Sequence, residues 1–260
     1  IKMLIKPGMD SHSYEPTPQD MIAIKESDLF FYVGGESDEW VDSLLSDMNP
    51  KRIVKMLDLV SDLQLEEHVE GMEEEKHEEH DEHEEEYDEH VWTSPKNAME
   101  IVKGLNKKMC ALDQAHASKF NKNAENYIKQ IASVDSSFDQ VVKNAKRKDI
   151  VVGDRFPLLY FAKEYGLTYS AAFPGCSEQT EPSAATISYL IDKVKRDHNP
   201  VIFKIELSNG QIARTISEET GTQVLTIQSM HNVSAEDFNN GETYVSIMRK
   251  NAKAVKEALQ

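Results

Sequence analysis

The chain has 260 residues, a formal net charge of −17, 39% hydrophobic residues and nine histidines. That length suits one large domain or two modest lobes. With no basic stripe to meet phosphates, nucleic acid is excluded as a partner, and no apolar run approaches a membrane span.

Residues 1–6 alternate apolar and charged side chains and read as a strand rather than a signal peptide. The sequence given opens on Ile, so a fragment or mature form is expected. Pro7 to Pro18 is dense in turn residues and forms a loop that carries His12. A short helix over 20–25 follows, started by Thr17 or Pro18. Asp28 to Gly35 reads as a buried strand ending in a glycine turn. Residues 39–45 read as a helix and 52–57 as another strand.

The next stretch dominates the charge. Between Glu66 and His90 there are fifteen acidic residues against Lys76 alone, so most of the net charge lies here. The segment has no apolar run, which predicts a solvated, mobile loop over 66–89. His68, His77, His80 and His83 lie among its carboxylates. Imidazoles mixed with carboxylates suit borderline divalent metals such as zinc, so this loop is expected to collect metal rather than merely solubilise.

Ser94-Pro95 then starts a helix, Ser as N-cap and Pro at the first position. Apolar residues from Phe120 to Val141 recur at three or four, predicting a helix over 118–146, about 40 Å long at 1.5 Å per residue. It is long enough to link two lobes. Strands at 149–153, 168–173, 200–205 and 222–227 then alternate with helices at 156–165, 183–196, 209–220 and 244–259. Such alternation means a mostly parallel sheet covered on both faces. The fold class is therefore α/β, two lobes with mostly parallel sheets flanked by helices. The expected division is an N-terminal lobe 1–117, a linking helix 118–147 and a C-terminal lobe 148–260.

Ligands of such sheets bind beyond the carboxyl ends of the strands. His12 follows the first strand. Asp154 and Arg155 follow the strand at 149–153, Glu206 the one at 200–205, and His231 the one at 222–227. His90 sits at the mouth of the acidic loop. Tyr14 and Trp92 adjoin these positions and are expected to pack around a site, Trp40 to lie in the core, and His116 and His198 on the surface. Cys110 and Cys176 form no CxxC pair, which argues against a thiolate zinc site and leaves buried free thiols as the default.

These features together resemble a known family, the zinc and manganese group of metal-ion solute-binding proteins of ABC importers. The carrying motifs are PGMDSHSYEPTPQD around His12, the acidic His-rich loop, and EHVWTSP around His90. KNAENYIKQI, YFAKEYGL and EPSAATISYLIDKVK add to them in the family's order. The resemblance implies two α/β lobes, a rigid linking helix and one metal in the cleft. It further implies an extracytoplasmic protein, periplasmic or lipid-anchored and expected as a monomer, that passes its ion to a membrane permease. Family members carry one more strand and helix before Ile1, so a missing first βα unit is expected.

By this resemblance His12 and His90 are the two ligands of the N-terminal lobe. The third ligand, usually His or Glu, falls on Arg155, beside Asp154, and the fourth falls near His231. A guanidinium only donates and stays protonated, so Arg155 is no ligand and is expected to turn towards Glu178, Glu181 or Glu206. The expected set is therefore His12, His90, Asp154 and His231, with a water-completed three-histidine site as the alternative. Zn2+ is favoured by the nitrogen-rich donors, with Mn2+ as the alternative. No GxSxG, HExxH or phosphate-binding glycine loop is visible, so an enzyme is not expected. A zinc-dependent hydrolase and a passive metal buffer or adhesin remain as readings from other classes.

Overall fold

Two unbroken apolar runs, Ile150-Val-Val and Val201-Ile-Phe, build the centre of the larger sheet. A computed structural model describes residues 1–9, 12–45, 48–73, 86–177, 179 and 181–260. The runs form β3 (Asp149–Arg155) and β5 (Val201–Lys204), with β4 (Thr168–Phe173) and β6 (Gln223–Thr226) outside them. The order is β4-β3-β5-β6 and every pairing is parallel. Strand pleating divides the runs between two cores. Ile150, Val152 and Phe203 enter one with Phe138, Phe161 and Val255. Val151 and Ile202 enter the other with Leu190, Val194 and Ile216.

Helices cover both faces, as a sheet apolar on both sides requires. They are α5 (Leu159–Tyr165) and α9 (Tyr244–Ala258) on one face and α6 (Ala184–Asp197) and α7 (Gln211–Thr220) on the other, with a short α8 (Ala235–Asn239) preceding α9. The chain leaves β3 for β4 on one side and returns to β5 on the other. The β3–β5 junction is thus a topological switch point, the usual place for a ligand.

The N-terminal part repeats the theme on a smaller scale. β1 (Phe30–Tyr32) and β2 (Ile53–Lys55) pair in parallel, with α1 (Pro18–Glu26) and α2 (Glu39–Leu45) beside them. Thr17 and Asp20 close a capping box at the start of α1. Ser94 caps α3 (Pro95–Leu112), accepting from Asn97 N at 3.1 Å, with Pro95 in the first turn. The 27-residue α4 (Ala117–Lys143) packs on α3 and on α9, so it touches both parts of the molecule. Among the described residues no helix is long and apolar enough to cross a membrane.

Two expectations are corrected. Residues 1–6 form no strand: an alternating pattern needs a paired neighbour, and here the backbone bonds elsewhere. Asn232 Nδ2 donates to the carbonyls of Lys6 (2.7 Å) and Met9 (2.9 Å), and Gly8 N donates to Val233 O at 2.8 Å. The acidic segment is not wholly a solvated loop either. Its first turn docks as a strap: Val69 and Met72 pack into the larger core, and Glu73 N donates to Ala172 O at 2.9 Å. Glu66 accepts from Cys176 N at 2.9 Å, Glu67 pairs with Lys163, and Glu73 accepts from Ser183 N (2.7 Å) and Thr186 Oγ1 (2.8 Å) at the start of α6. Two apolar side chains sufficed because Glu66, Glu67 and Glu73 around them all find donors.

Candidate metal centre

Four ligand-bearing side chains converge: His12, Glu89, His90 and His231, with one ligand atom of each within 4.8 Å of all the others. His12 comes from the loop before α1. Glu89 and His90 come from the returning end of the acidic segment, where Glu66 N donates to Glu86 O (3.0 Å) and Asp88 N to Gln64 O (2.9 Å). These bonds close the neck of the segment and aim its last residues inward. His231 lies on the turn after β6, next to Met230, which holds a left-handed φ of 60°.

Burial and hydrogen bonding orient each group. His90 is fully buried, and Asp88 Oδ1 accepts from its amide (2.8 Å) and meets its Nδ1 at 3.0 Å. With Nδ1 so engaged, Nε2 is the nitrogen available to a metal, and it has no hydrogen-bond partner among the described residues. Ser37 Oγ lies 2.7 Å from His12 Nδ1 and donates to Glu89 Oε1 at 2.7 Å. Glu89 Oε1 is in turn 3.6 Å from His12 Nδ1 and 3.7 Å from His231 Nε2. The His231 ring stands edge-on to His90 and His12, at centroid distances of 4.2 and 4.6 Å.

A surrounding layer holds these groups still. Trp92 packs 5.1 Å from the His231 ring and donates from Nε1 to Ser229 O at 2.8 Å. The buried Glu206 carboxylate accepts from Ser229 N (2.8 Å), Ser229 Oγ (2.7 Å) and Met230 N (2.8 Å), cradling the turn that presents His231. Gly35 lies so close to Glu89 that an added Cβ would run into its carboxylate, and a Cβ on Gly175 would stand 3.1 Å from Asp88 Oδ2.

The electrostatics follow from this packing. Burial raises the Glu89 carboxyl, but the contact with His231 and the neighbouring His90 and His12 rings outweigh it and hold the group at about 2. Burial pushes His231 down to about 3, with the His90 ring adding to the shift, so it stays neutral and ready to ligate. Burial also opposes the charge on His90, but Asp88 beside it turns the balance and raises its pKa. An ionised carboxylate and three imidazoles in a buried cluster are a donor set for a borderline divalent ion.

Comparison with known proteins points the same way. The family model for the periplasmic zinc-uptake complex component A, ZnuA, matches residues 1–258. The chain belongs to the ZnuA family. Relatives include the high-affinity zinc uptake system protein ZnuA of Bacillus subtilis, 31% identical over 259 residues that cover 100% of this chain and 80% of that protein. The zinc-binding lipoprotein AdcA of Streptococcus pneumoniae is 32% identical over 257 residues, 99% of this chain but only 51% of AdcA. The chain thus spans about half the length of that lipoprotein. The crystal structure of the Zn(II)-bound ZnuA-like domain of S. pneumoniae AdcA superposes with a TM-score of 0.77 at 30% identity, covering 98% of this chain and 89% of that one. The metal-dependent lipoprotein YcdH of B. subtilis gives a TM-score of 0.80 at 28% identity, covering 99% and 90%. ZnuA is a metal-binding transport family, not an enzyme family.

Within this ZnuA-family fold the expected ligands divide. His12, His90 and His231 come together, and Asp154 is not in their group. β3 runs two residues further than expected, so Asp154 and Arg155 sit inside the strand rather than beyond it. Asp154 is partly buried, which raises its pKa, and its Oδ1 accepts from Arg155 N at 3.2 Å. Arg155 donates from a guanidinium nitrogen to Ser177 O at 3.2 Å. Glu206, named as its possible partner, serves the His231 turn; Glu178 lies outside the described residues. Glu89, which the structure brings into this group, was not singled out by the sequence because it is one of fifteen acids in its segment. The one available signal was its place directly before His90. Of the histidines expected to collect metal, His68 is exposed on the strap, while His77, His80 and His83 lie outside the described residues. Cys110 and Cys176 are free thiols, His116 and His198 are exposed, and Tyr14 stacks edge-on against Trp40 at 5.8 Å.

Proposed function

We propose that this chain is the zinc-capturing part of an extracytoplasmic solute-binding component of an ABC importer. It holds one ion with His12, Glu89, His90 and His231 and delivers it to a membrane permease. The observation that carries this reading is the buried convergence of those four side chains. Three nitrogen donors and one oxygen suit zinc better than manganese, which favours oxygen-rich sites. Four protein ligands also fill a tetrahedral zinc and leave no open position for the water a hydrolase activates. The working unit is a monomer with lobes at 1–117 and 148–260 joined by the helix at 118–147. His68, His77, His80 and His83 collect metal for it.

Zinc titration against a chromophoric chelator tests this. The expected result is one tight zinc per chain, weakened by about tenfold to a hundredfold or more in Glu89→Gln and in His231→Ala. Several weak ions with no tight one would make the protein a buffer. Unchanged affinity in Glu89→Gln would return the oxygen ligand to Asp154 or to water.

A further inference from the structure

Ser37 touches the centre without belonging to it. It sits in a turn (residues 36–38) just past the end of β1, held by Asp38, whose Oδ2 accepts from Val33 N and Gly34 N at 2.9 Å each. This pins the Ser37 hydroxyl 2.7 Å from both His12 Nδ1 and Glu89 Oε1. The Ser37 amide faces the second oxygen of the same carboxylate, Glu89 Oε2, at 3.4 Å.

A hydroxyl has one hydrogen, and an ionised carboxylate only accepts. The Ser37 hydrogen therefore goes to Glu89 Oε1, leaving lone pairs on Oγ for His12. His12 Nδ1 must then carry the proton, and Nε2 is the unprotonated nitrogen, the form in which a neutral imidazole ligates. Both oxygens of Glu89 face Ser37, which favours one oxygen on a metal over a chelating pair.

We propose that Ser37 is a positioning residue of the metal centre, one hydroxyl that sets the His12 tautomer and restricts Glu89 to a single coordinating oxygen. The proposal rests on the zinc reading above. It has a consequence for selectivity. A single carboxylate oxygen with three imidazoles fits four-coordinate zinc, whereas ions that take six or more oxygen-rich ligands gain from a chelating carboxylate. Ser37 thus biases the site towards zinc and against manganese, working from a part of the chain that carries no ligand.

The test compares the parent chain with Ser37→Ala and Ser37→Thr. Zinc affinity is read by chelator competition, manganese affinity by paramagnetic resonance of the free ion, and the His12 tautomer by two-bond proton–nitrogen correlation spectra of the zinc-free protein. In Ser37→Ala, zinc affinity is expected to fall about tenfold to a hundredfold, the range for losing an outer partner of a ligand. Manganese affinity should fall less, narrowing the preference, and the His12 signals should shift to mixed tautomers. Ser37→Thr, which keeps the hydroxyl, should restore zinc binding to within about threefold. A residue needed only for folding would not change the zinc-to-manganese ratio. Should Ser37→Ala fail to fold, the parent still decides: a His12 proton on Nε2 overturns the proposal. A parent without a tight zinc site overturns the reading of the centre, and this inference with it. A parent that binds zinc, with an alanine variant that binds equally well and keeps the same tautomer, overturns this inference alone.

Discussion

His90 and His231 are neighbours with opposite proton chemistry. Asp88 raises the first, burial lowers the second to about 3, and only a neutral imidazole ligates. His90 therefore sets the pH dependence. Its folded pKa lies above the unfolded value, so it stabilises the zinc-free protein at low pH, and that contribution is lost as pH rises through the folded pKa. Zinc must displace the same proton, so zinc binding weakens as pH falls through that raised value, starting above the ordinary imidazole value of about 6.5. The rise in Tm on adding zinc should accordingly grow from about pH 6 to about pH 8. In Asp88→Asn the onset should move to lower pH, while zinc at about pH 8 weakens roughly tenfold or more through the lost carboxylate–histidine pair. A zinc-induced Tm shift that is flat across this range would remove His90 from the ligand set.

At the scale of elements, the acidic segment divides into parts with different work. The strap at 66–73 is tied to the C-terminal sheet and its helices through Glu66, Glu67, Val69, Met72 and Glu73. The returning end at Glu86–Asp88 pairs back on Gln64–Glu66 and places Glu89 and His90. Neither set of bonds involves His77, His80 or His83. Replacing those three by Ser should leave the equilibrium zinc affinity within about twofold while slowing capture from dilute zinc, since their proposed work is to gather the ion and not to hold it. The check is a chelator-buffered titration alongside a stopped-flow capture rate. Loss of the tight site in the triple variant would mean that the collecting residues belong to the centre itself.

Across the whole molecule the proposed ligands are shared unequally. His12, Glu89 and His90 precede α4, and His231 alone follows it. Asn232, next to it, joins the two sides: its Nδ2 holds the carbonyls of Lys6 and Met9, on the approach to His12, while its Oδ1 accepts from Val233 N at 2.8 Å. Asn232→Ala removes these bonds, each worth about 0.5–1.5 kcal/mol net, so zinc should dissociate roughly tenfold faster. Stopped-flow release into excess chelator measures this. An unchanged release rate would mean that Asn232 stabilises the fold without holding the centre closed.

The sequence alone determined most of the elements and singled out the three histidines that come together. Ser94-Pro95 started α3, the three-to-four spacing from Phe120 to Val141 became α4, and the Val-rich runs became the central strands, because caps, periodicity and apolar runs are local signals. His12, His90 and His231 stood out as polar ligand types at strand ends and loop mouths. Only the tertiary structure decided which carboxylate joins them. Glu89 has the same composition around it as fourteen other acids, and what singles it out is burial to 3% exposure beside three imidazoles and Ser37. Asp154 stays outside their group because β3 continues past it to Arg155, which pairs with Phe173 of β4 beyond a bulge, a tertiary pairing that no local pattern encodes. The strap was hidden for the same reason: Val69 and Met72 become core only once α5, β4 and α6 supply the surface and the donors that hold the carboxylates around them.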